Sequence, residues 1–203
     1  ATTFNLFVVL SVFALADVSW GERPVEEDRQ DLDVVVAVDI SRSMLATDIE
    51  PSRLARSLAV VRSVTRQLPA GRFGLVAFKG DAVTLLPLTE DTNALEAVLD
   101  GISPQLVSTG GTNVEEGLRA ALDAFPPGTN AHRAVLLFSD GESLQGAPTR
   151  IAADARVAGI PVITVAAGTA EGSTIPVGDG SVILDEEGRP VVSRVSIAVL
   201  EEM

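Results

Sequence analysis

Continuous apolar runs alternate along this chain with segments whose apolar residues recur every three or four positions. The runs, such as "DVVVAVD" from Asp33 and "RAVLLFSD" from Arg133, have the length of strands buried on both faces of a parallel sheet. "PSRLARSLAVVRSVTRQL" has the spacing of an amphipathic helix, and Pro51 suits its first turn. Asp48, just before it, is expected to interact with the helix dipole. The order β-α-β-β-α-α-β-α-β predicts a doubly wound, Rossmann-like α/β fold, with a mostly parallel sheet and helices on both faces.

Three segments add detail to this sheet. Residues 72–80 and 82–89 are strand patterns separated by a Gly-Asp turn, which predicts a hairpin. Pro87 predicts that the second of them is an antiparallel edge strand, because proline cannot donate a hydrogen bond to a neighbour. Residues 160–168 are expected to form a further buried strand. The turn-rich sequence that follows predicts a hairpin excursion over about 172–195, after which a helical pattern runs to the chain end.

The first residues have a different character from the rest. "FNLFVVLSVFALA" is almost wholly apolar, but its 13 residues are fewer than the roughly 20 that cross a bilayer. We interpret residues 1–20 as the end of a transmembrane helix, with Trp20 at the membrane interface. A buried helix, a signal-peptide remnant and an artificial fusion are the alternatives. Residues 21–31 form an acidic linker, and residues 32–203 form the domain, whose last helix is expected to continue beyond the chain end.

Composition excludes several kinds of site. The chain has no cysteine, which excludes disulfides, Fe–S clusters, thiolate zinc sites and cysteine nucleophiles. The single histidine, His132, excludes zinc sites with several histidines and argues against a Ser-His catalytic triad. A formal net charge of −13 argues against nucleic acid as a partner. The same charge suits cations, basic partner surfaces or solubility.

Polar motifs fall at the ends of predicted strands, or in the neighbouring loops, at three places. Asp39-x-Ser41-x-Ser43 follows the first strand, residues 108–113 ("STGGTN") precede a helix, and residues 139–142 ("SDGE") follow the fourth strand. Each motif alone is most simply a turn or a helix cap. In an open α/β sheet, however, ligands bind at the carboxyl ends of the strands, where all three motifs are predicted to meet.

The three motifs share hard oxygen donors, which suit a magnesium ion. Two carboxylates and three hydroxyls would nearly neutralise such an ion without saturating it, and these groups belong to Asp39, Ser41, Ser43, Thr112 and Asp140. Because hydroxyls are weak donors, the ion would stay receptive to another carboxylate. The residues therefore predict binding of an Asp or Glu of a partner protein through the metal.

The same five residues, in this order, resemble the metal-ion-dependent adhesion site of von Willebrand factor type A (VWA) domains. The likeness covers about residues 32–168. It implies that Asp39, Ser41, Ser43 and Thr112 are direct or near-direct ligands, with Asp140 often acting through water. The implied ion is Mg²⁺, with Mn²⁺ or Ca²⁺ as alternatives.

A closer resemblance is to bacterial aerotolerance (Bat-type) membrane proteins. It is carried by "DISRSMLATDIEPSRL", "PLTEDTNAL" and "DEEGRPVVSRV". It implies a membrane anchor in the bacterial inner membrane, and the acidic flank after the apolar segment favours the extracytoplasmic side for the domain. It also implies other VWA proteins and a MoxR-type AAA+ ATPase as partners. Two features depart from that family: the chain ends before the domain's last helix and strand, and it contains no downstream membrane segment.

Two other functions remain as alternatives to a non-enzymatic interaction module. Asp39 could be the nucleophile of a magnesium-dependent, phosphatase-like hydrolase, but such enzymes carry a second acid two residues on, where this chain has Ser41. Nucleotide binding is disfavoured, because neither a phosphate-binding loop nor a G-x-G-x-x-G turn is present.

Overall fold

The computed structural model describes residues 32–128, 130–142, 146–178 and 180–203. The apolar segment 1–20 and the acidic linker 21–31 lie outside the described residues, so the transmembrane and linker assignments stay predictions. Within the described part of the chain, no helix combines the length and the apolar character that crossing a membrane requires.

Five strands form one sheet in the order β3-β2-β1-β4-β5. Their bounds are β1 Leu32–Asp39, β2 Gly71–Phe78, β3 Ala82–Thr89, β4 His132–Ser139 and β5 Val162–Ala166. β1, β2, β4 and β5 are parallel, and β3 runs antiparallel to β2 at one edge, where Pro87 was predicted to lie. The predicted fold class is therefore confirmed.

In the described part of the chain, five α-helices pack around the sheet: α1 Arg53–Gln67, α2 Thr92–Asp100, α3 Val114–Asp123, α4 Pro148–Val157 and α5 Ile197–Glu201. Two 3₁₀ turns, Arg42–Leu45 and Pro104–Leu106, lie in the connections. The prediction that Pro51 opens the first helix was wrong. The Ser52 hydroxyl accepts a hydrogen bond from the backbone N–H of Ala55 and so caps the helix, which begins at Arg53.

The sheet separates two apolar cores. Alternate residues of a strand point to opposite faces. Accordingly, Val34, Val36 and Val38 of β1 pack with α1 and α2, whereas Val35 and Ala37 pack with α3, α4 and α5. β1 is thus buried on both faces, and its carboxyl end lies in the middle of the sheet.

β5 differs from the prediction of a further buried strand. It forms the second edge of the sheet and is only partly covered, and the side chain of Ile163 is half exposed. An apolar run of strand length does not by itself distinguish an edge strand from a central one, because both can carry branched apolar residues.

The predicted hairpin excursion is present. β6 (Ser173–Thr174) pairs antiparallel with β7 (Val192–Ser193), and two isolated bridges, Pro176 with Val182 and Leu184 with Pro190, continue the ribbon. The excursion returns to the carboxyl end of β4, where the backbone N–H of Ser196 donates to the Asp140 carbonyl at 2.7 Å.

Close packing of α3 on the sheet gives a first prediction. A Cβ added at Gly117 would come within 2.6 Å of the Phe78 ring. Gly117→Ala is therefore expected to lower the free energy of unfolding by about 1–3 kcal/mol, measured by urea denaturation, since a filled core resists added volume.

Gly101→Ala is the matched control, because there an added Cβ meets no atom closer than 3.5 Å. By helix propensity alone, alanine at position 117, inside α3, would stabilise the protein by about 1 kcal/mol relative to glycine. A Gly117→Ala protein that is more stable than wild type would contradict this packing.

Candidate functional site

Asp39 ends the central strand in a fully buried position. Its Oδ1 accepts a hydrogen bond from the backbone N–H of Ser41 at 2.8 Å, and its Oδ2 accepts one from the Ser139 hydroxyl at 2.7 Å. Ser139, the last residue of β4, was not predicted as part of the site. These two bonds fix the orientation of the carboxylate.

The two serines of the motif face each other. The 3₁₀ turn Arg42–Leu45 folds back directly after β1, so that the hydroxyl oxygens of Ser41 and Ser43 lie 2.9 Å apart. Both residues are buried, at 4% and 6% exposure. The alternate spacing seen in the sequence therefore produces a pair of hydroxyls beside the Asp39 carboxylate.

Asp140 comes to the same place from the neighbouring strand. β1 and β4 pair in parallel, with Val38 opposite Phe138, so Asp39 and Asp140 follow at adjacent strand ends. Asp140 is fully buried, and its Oδ1 accepts from the backbone N–H of Glu142 at 3.1 Å. The negative charge of Asp140 also raises the pKa of Asp39.

Thr112 lies in the loop before α3. The backbone N–H of Asn113 donates to the Lys79 carbonyl at 2.6 Å, which ties this loop to the connection that follows β2. Asn113 also caps α3 by accepting from the backbone N–H of Glu116. The side chain of Thr112 is buried, but no hydrogen bond between described residues joins its hydroxyl to the other four predicted ligands.

The electrostatics of the site favour a proton or a cation at Asp39. The pKa of Asp39 is raised from 3.8 to about 7: burial is the largest cause, the negative charge of Asp140 adds to it, and hydrogen bonds from Ser139 and Ser41 oppose both effects. Because the isolated negative charge of Asp39 is unfavourable in this buried site, a bound proton or cation would stabilise it.

Arg53 is the buried counter-charge of this region. Its guanidinium has no exposed surface and donates to both oxygens of Asp48 at 2.8 Å and to Oδ2 of Asp140 at 3.1 Å. The hydrogen bonds from Arg53 lower the pKa of Asp48 to about 2. The expected dipole role of Asp48 was therefore incomplete, since Asp48 mainly pairs with Arg53.

The same guanidinium holds the hairpin excursion. It donates to the hydroxyl of Ser193 at 2.8 Å and to the Ser193 carbonyl at 3.0 Å. On the other side, Asp48 accepts from the N–H and the hydroxyl of Thr169, and Glu142 accepts from the Ser193 hydroxyl at 3.1 Å. Arg53 thus connects the loop after β1, the end of β4 and the excursion.

The charge of this cluster suits a divalent ion. Asp39, Asp48 and Asp140 are buried or nearly buried carboxylates, and the guanidinium of Arg53 pairs with Asp48 and Asp140, so two formal negative charges remain when all three are ionised. Across the described residues, no group of three or more His, Cys, Asp or Glu side chains has an arrangement that could hold a metal. An ion here would therefore need hydroxyl ligands, which Ser41 and Ser43 offer.

Residues 34–142, about half of the chain, match the von Willebrand factor type A domain. The chain belongs to this family. VWA domains commonly serve in protein interactions, and many of them bind a divalent metal.

Solved structures with similar sequences carry the same fold. The conserved hypothetical protein BatB of Bacteroides thetaiotaomicron is 35% identical, with a TM-score of 0.81, over 84% of this chain and 84% of that chain. An aerotolerance-related membrane protein of Bacteroides fragilis is 32% identical, with a TM-score of 0.81, over 84% and 85%. The resemblance to Bat-type proteins is therefore confirmed.

Two further comparisons give the extent of the likeness. A UPF0353 protein of Mycolicibacterium paratuberculosis is 32% identical over 71% of this chain and 48% of its own length, so the chain spans about half of that relative. The mussel byssus protein PTMP1, described with a zinc-occupied MIDAS motif, is 20% identical over 67% of this chain and 38% of that chain, with a TM-score of 0.56. The mussel protein shows the fold alone.

Removal of the buried guanidinium gives a second prediction. Arg53→Met is expected to destabilise the protein by about 3–5 kcal/mol in urea denaturation, because Asp48 and Asp140 would lose their shared counter-charge. Arg66→Met is the control: Arg66 is 72% exposed in its pair with Glu96, and its loss should cost less than about 1 kcal/mol. Equal effects of the two variants would contradict the role of Arg53.

The raised pKa of Asp39 gives a third prediction, for protein kept in EDTA. Since about 7 exceeds the unfolded value of 3.8, the folded protein holds an extra proton between roughly pH 4 and 7. The contribution of Asp39 to stability is present below pH 4 and is lost as the pH rises to about 7.

Asp39→Asn should remove this decrease and leave the variant more stable than wild type at pH 8, measured by urea denaturation at intervals from pH 4.5 to 8. The maximal slope from one proton is about 1.4 kcal/mol per pH unit. Parallel stability curves for the two proteins would show that Asp39 titrates normally.

Proposed function

We propose that this chain is a non-enzymatic interaction module that binds an acidic side chain of a partner protein through a divalent cation. The cation would be held by Asp39, Ser41, Ser43, Thr112 and Asp140. The observation that carries this proposal is the buried negative charge of Asp39 and Asp140 at adjacent strand ends, where Arg53 pairs with Asp140 but is shared with Asp48. Mg²⁺ is the ion we propose, and Mn²⁺ or Ca²⁺ would suit the same oxygen donors.

The chain's own groups would each have a distinct part in this binding. When bound, the ion supplies an electrophilic centre with an open position for one more oxygen ligand. Ser139 and the Ser41 N–H hold the Asp39 carboxylate in place, and Arg53 holds Asp140. The hydroxyl ligands are neutral, so the ion would keep positive charge that attracts the carboxylate of a partner.

The setting of the module is also a proposal. The likeness to BatB and to an aerotolerance-related membrane protein supports a membrane-anchored bacterial protein. We place the anchor in residues 1–20, in the inner membrane, with the VWA domain on the extracytoplasmic side. Other VWA proteins and a MoxR-type AAA+ ATPase are the partners that the Bat-type resemblance implies.

The hydrolase alternative has less support. The position two residues after Asp39, where such enzymes carry a second acid, is occupied by Ser41.

Ion binding gives a fourth prediction. Isothermal titration of the protein with MnCl₂ or MgCl₂ should show one site, and Asp39→Asn should weaken it at least about a hundredfold. Loss of groups that only support a metal ligand already costs about 10- to 100-fold. Asp123→Asn, which removes an exposed carboxylate at the end of α3, should bind like wild type.

Because Asp39→Asn is expected to remain folded, loss of binding would not reflect loss of structure. Unchanged affinity in Asp39→Asn would refute the site, and an equal loss in Asp123→Asn would indicate diffuse attraction to the acidic surface.

A further inference from the structure

A cleft of about 280 Å³ opens beside the candidate metal site. Three separate parts of the chain line it: the 3₁₀ turn after β1, the 3₁₀ turn before α3 and the first part of the hairpin excursion. Its lining includes Arg42, Leu45, Pro104, Val177 and Ile183. We call this feature the Arg42 cleft.

The Arg42 cleft and the predicted metal ligands share a loop. Arg42 lies between Ser41 and Ser43, and consecutive Cα atoms are about 3.8 Å apart. The serine side chains are buried, whereas the side chain of Arg42 is exposed and lines the cleft. A peptide residue one or two positions from a carboxylate at the ion could therefore reach the cleft, since an extended chain advances about 3.3–3.6 Å per residue.

We propose that the Arg42 cleft binds an apolar side chain that flanks the ligating Asp or Glu in a partner protein segment. This inference rests on the proposed function. It adds a sequence preference: the partner would present an acidic residue with a leucine-like neighbour, and not an isolated carboxylate.

The chemistry of the cleft supports this occupant. Its lining is mostly aliphatic and proline, and Arg42 is the one charged residue among the described residues that line it. No ion pair among the described residues engages Arg42, although the chain carries a net charge of −13. An acidic segment would thus meet positive potential at this rim, in contrast to the acidic surface elsewhere.

The open shape of the cleft favours a side chain over a small molecule. The cleft has a volume of about 280 Å³ and is open to solvent, whereas pockets for small ligands enclose most of the ligand. Val177 lies at its exposed side, with 46% of its surface accessible, and would be covered by the bound side chain.

The test compares two acetylated, amidated peptides, Gly-Leu-Asp-Leu-Gly and Gly-Gly-Asp-Gly-Gly, in NMR titrations of the 203-residue chain in MgCl₂. The leucine peptide should bind about five- to tenfold more tightly, as expected for partial burial of one leucine side chain. Its binding should shift the amide signals of Ile175, Val177 and Gly178, and EDTA should abolish binding of both peptides.

Matched variants connect the preference to the cleft. Val177→Asp should reduce the affinity ratio of the two peptides to about one, whereas Val157→Asp, at a 90% exposed position on α4, should keep the wild-type ratio. Arg42→Ala should weaken the leucine peptide more than Arg56→Ala, which removes the same charge from an exposed position on α1.

The outcomes distinguish this inference from the proposed function. Equal, EDTA-sensitive affinities of the two peptides would refute the cleft preference and keep metal-bridged binding. If neither peptide bound in MgCl₂, the proposed function itself would fail, and the inference with it. Magnesium-dependent dimerisation that covers the cleft, measured by sedimentation, would identify a second copy as the occupant and overturn the proposal.

Discussion

Two carboxylates buried at neighbouring strand ends are the constraint on which the rest of this structure depends. Asp39 and Asp140 have no exposed surface, and the charge of Asp140 makes ionisation of Asp39 more costly. Hydrogen bonds orient both groups, but the buried guanidinium of Arg53 is shared with Asp48. The remaining negative charge needs a proton or a cation. The two compete for Asp39, so we expect ion binding to strengthen as the pH rises towards 7.

The same constraint connects segments that are far apart in sequence. Arg53 contacts the loop after β1 through Asp48, the end of β4 through Asp140, and the hairpin excursion through Ser193. The excursion in turn forms one wall of the Arg42 cleft. A partner segment that extends from the ion to the cleft would therefore contact two surfaces supported by one buried side chain. Movement of Asp140 on ion binding would be transmitted to the excursion through the same guanidinium.

Much of this architecture could be predicted from the sequence because its signals are local. Apolar runs of strand length define the central strands, and the rule for strand ends brings Asp39 and Asp140 to the same end of the sheet. The parts that could not be predicted depend on distant contacts. Arg53 has the spacing of an ordinary helix residue, and nothing near it indicates pairing with Asp140, 87 positions away, or with Ser193, 140 positions away. The edge position of β5 likewise depends on which strands pair.

We propose above that a divalent cation at the carboxyl ends of β1 and β4 binds a carboxylate from outside the chain. The most direct measurement is anomalous diffraction from crystals of the protein grown with MnCl₂ and soaked in acetate. We expect a manganese peak at which an acetate oxygen completes the coordination of the ion. The protein side chains around it should be those of Asp39, Ser41, Ser43, Thr112 and Asp140. A peak at any other place, or a manganese ion at this rim whose shell the protein alone completes, would contradict it.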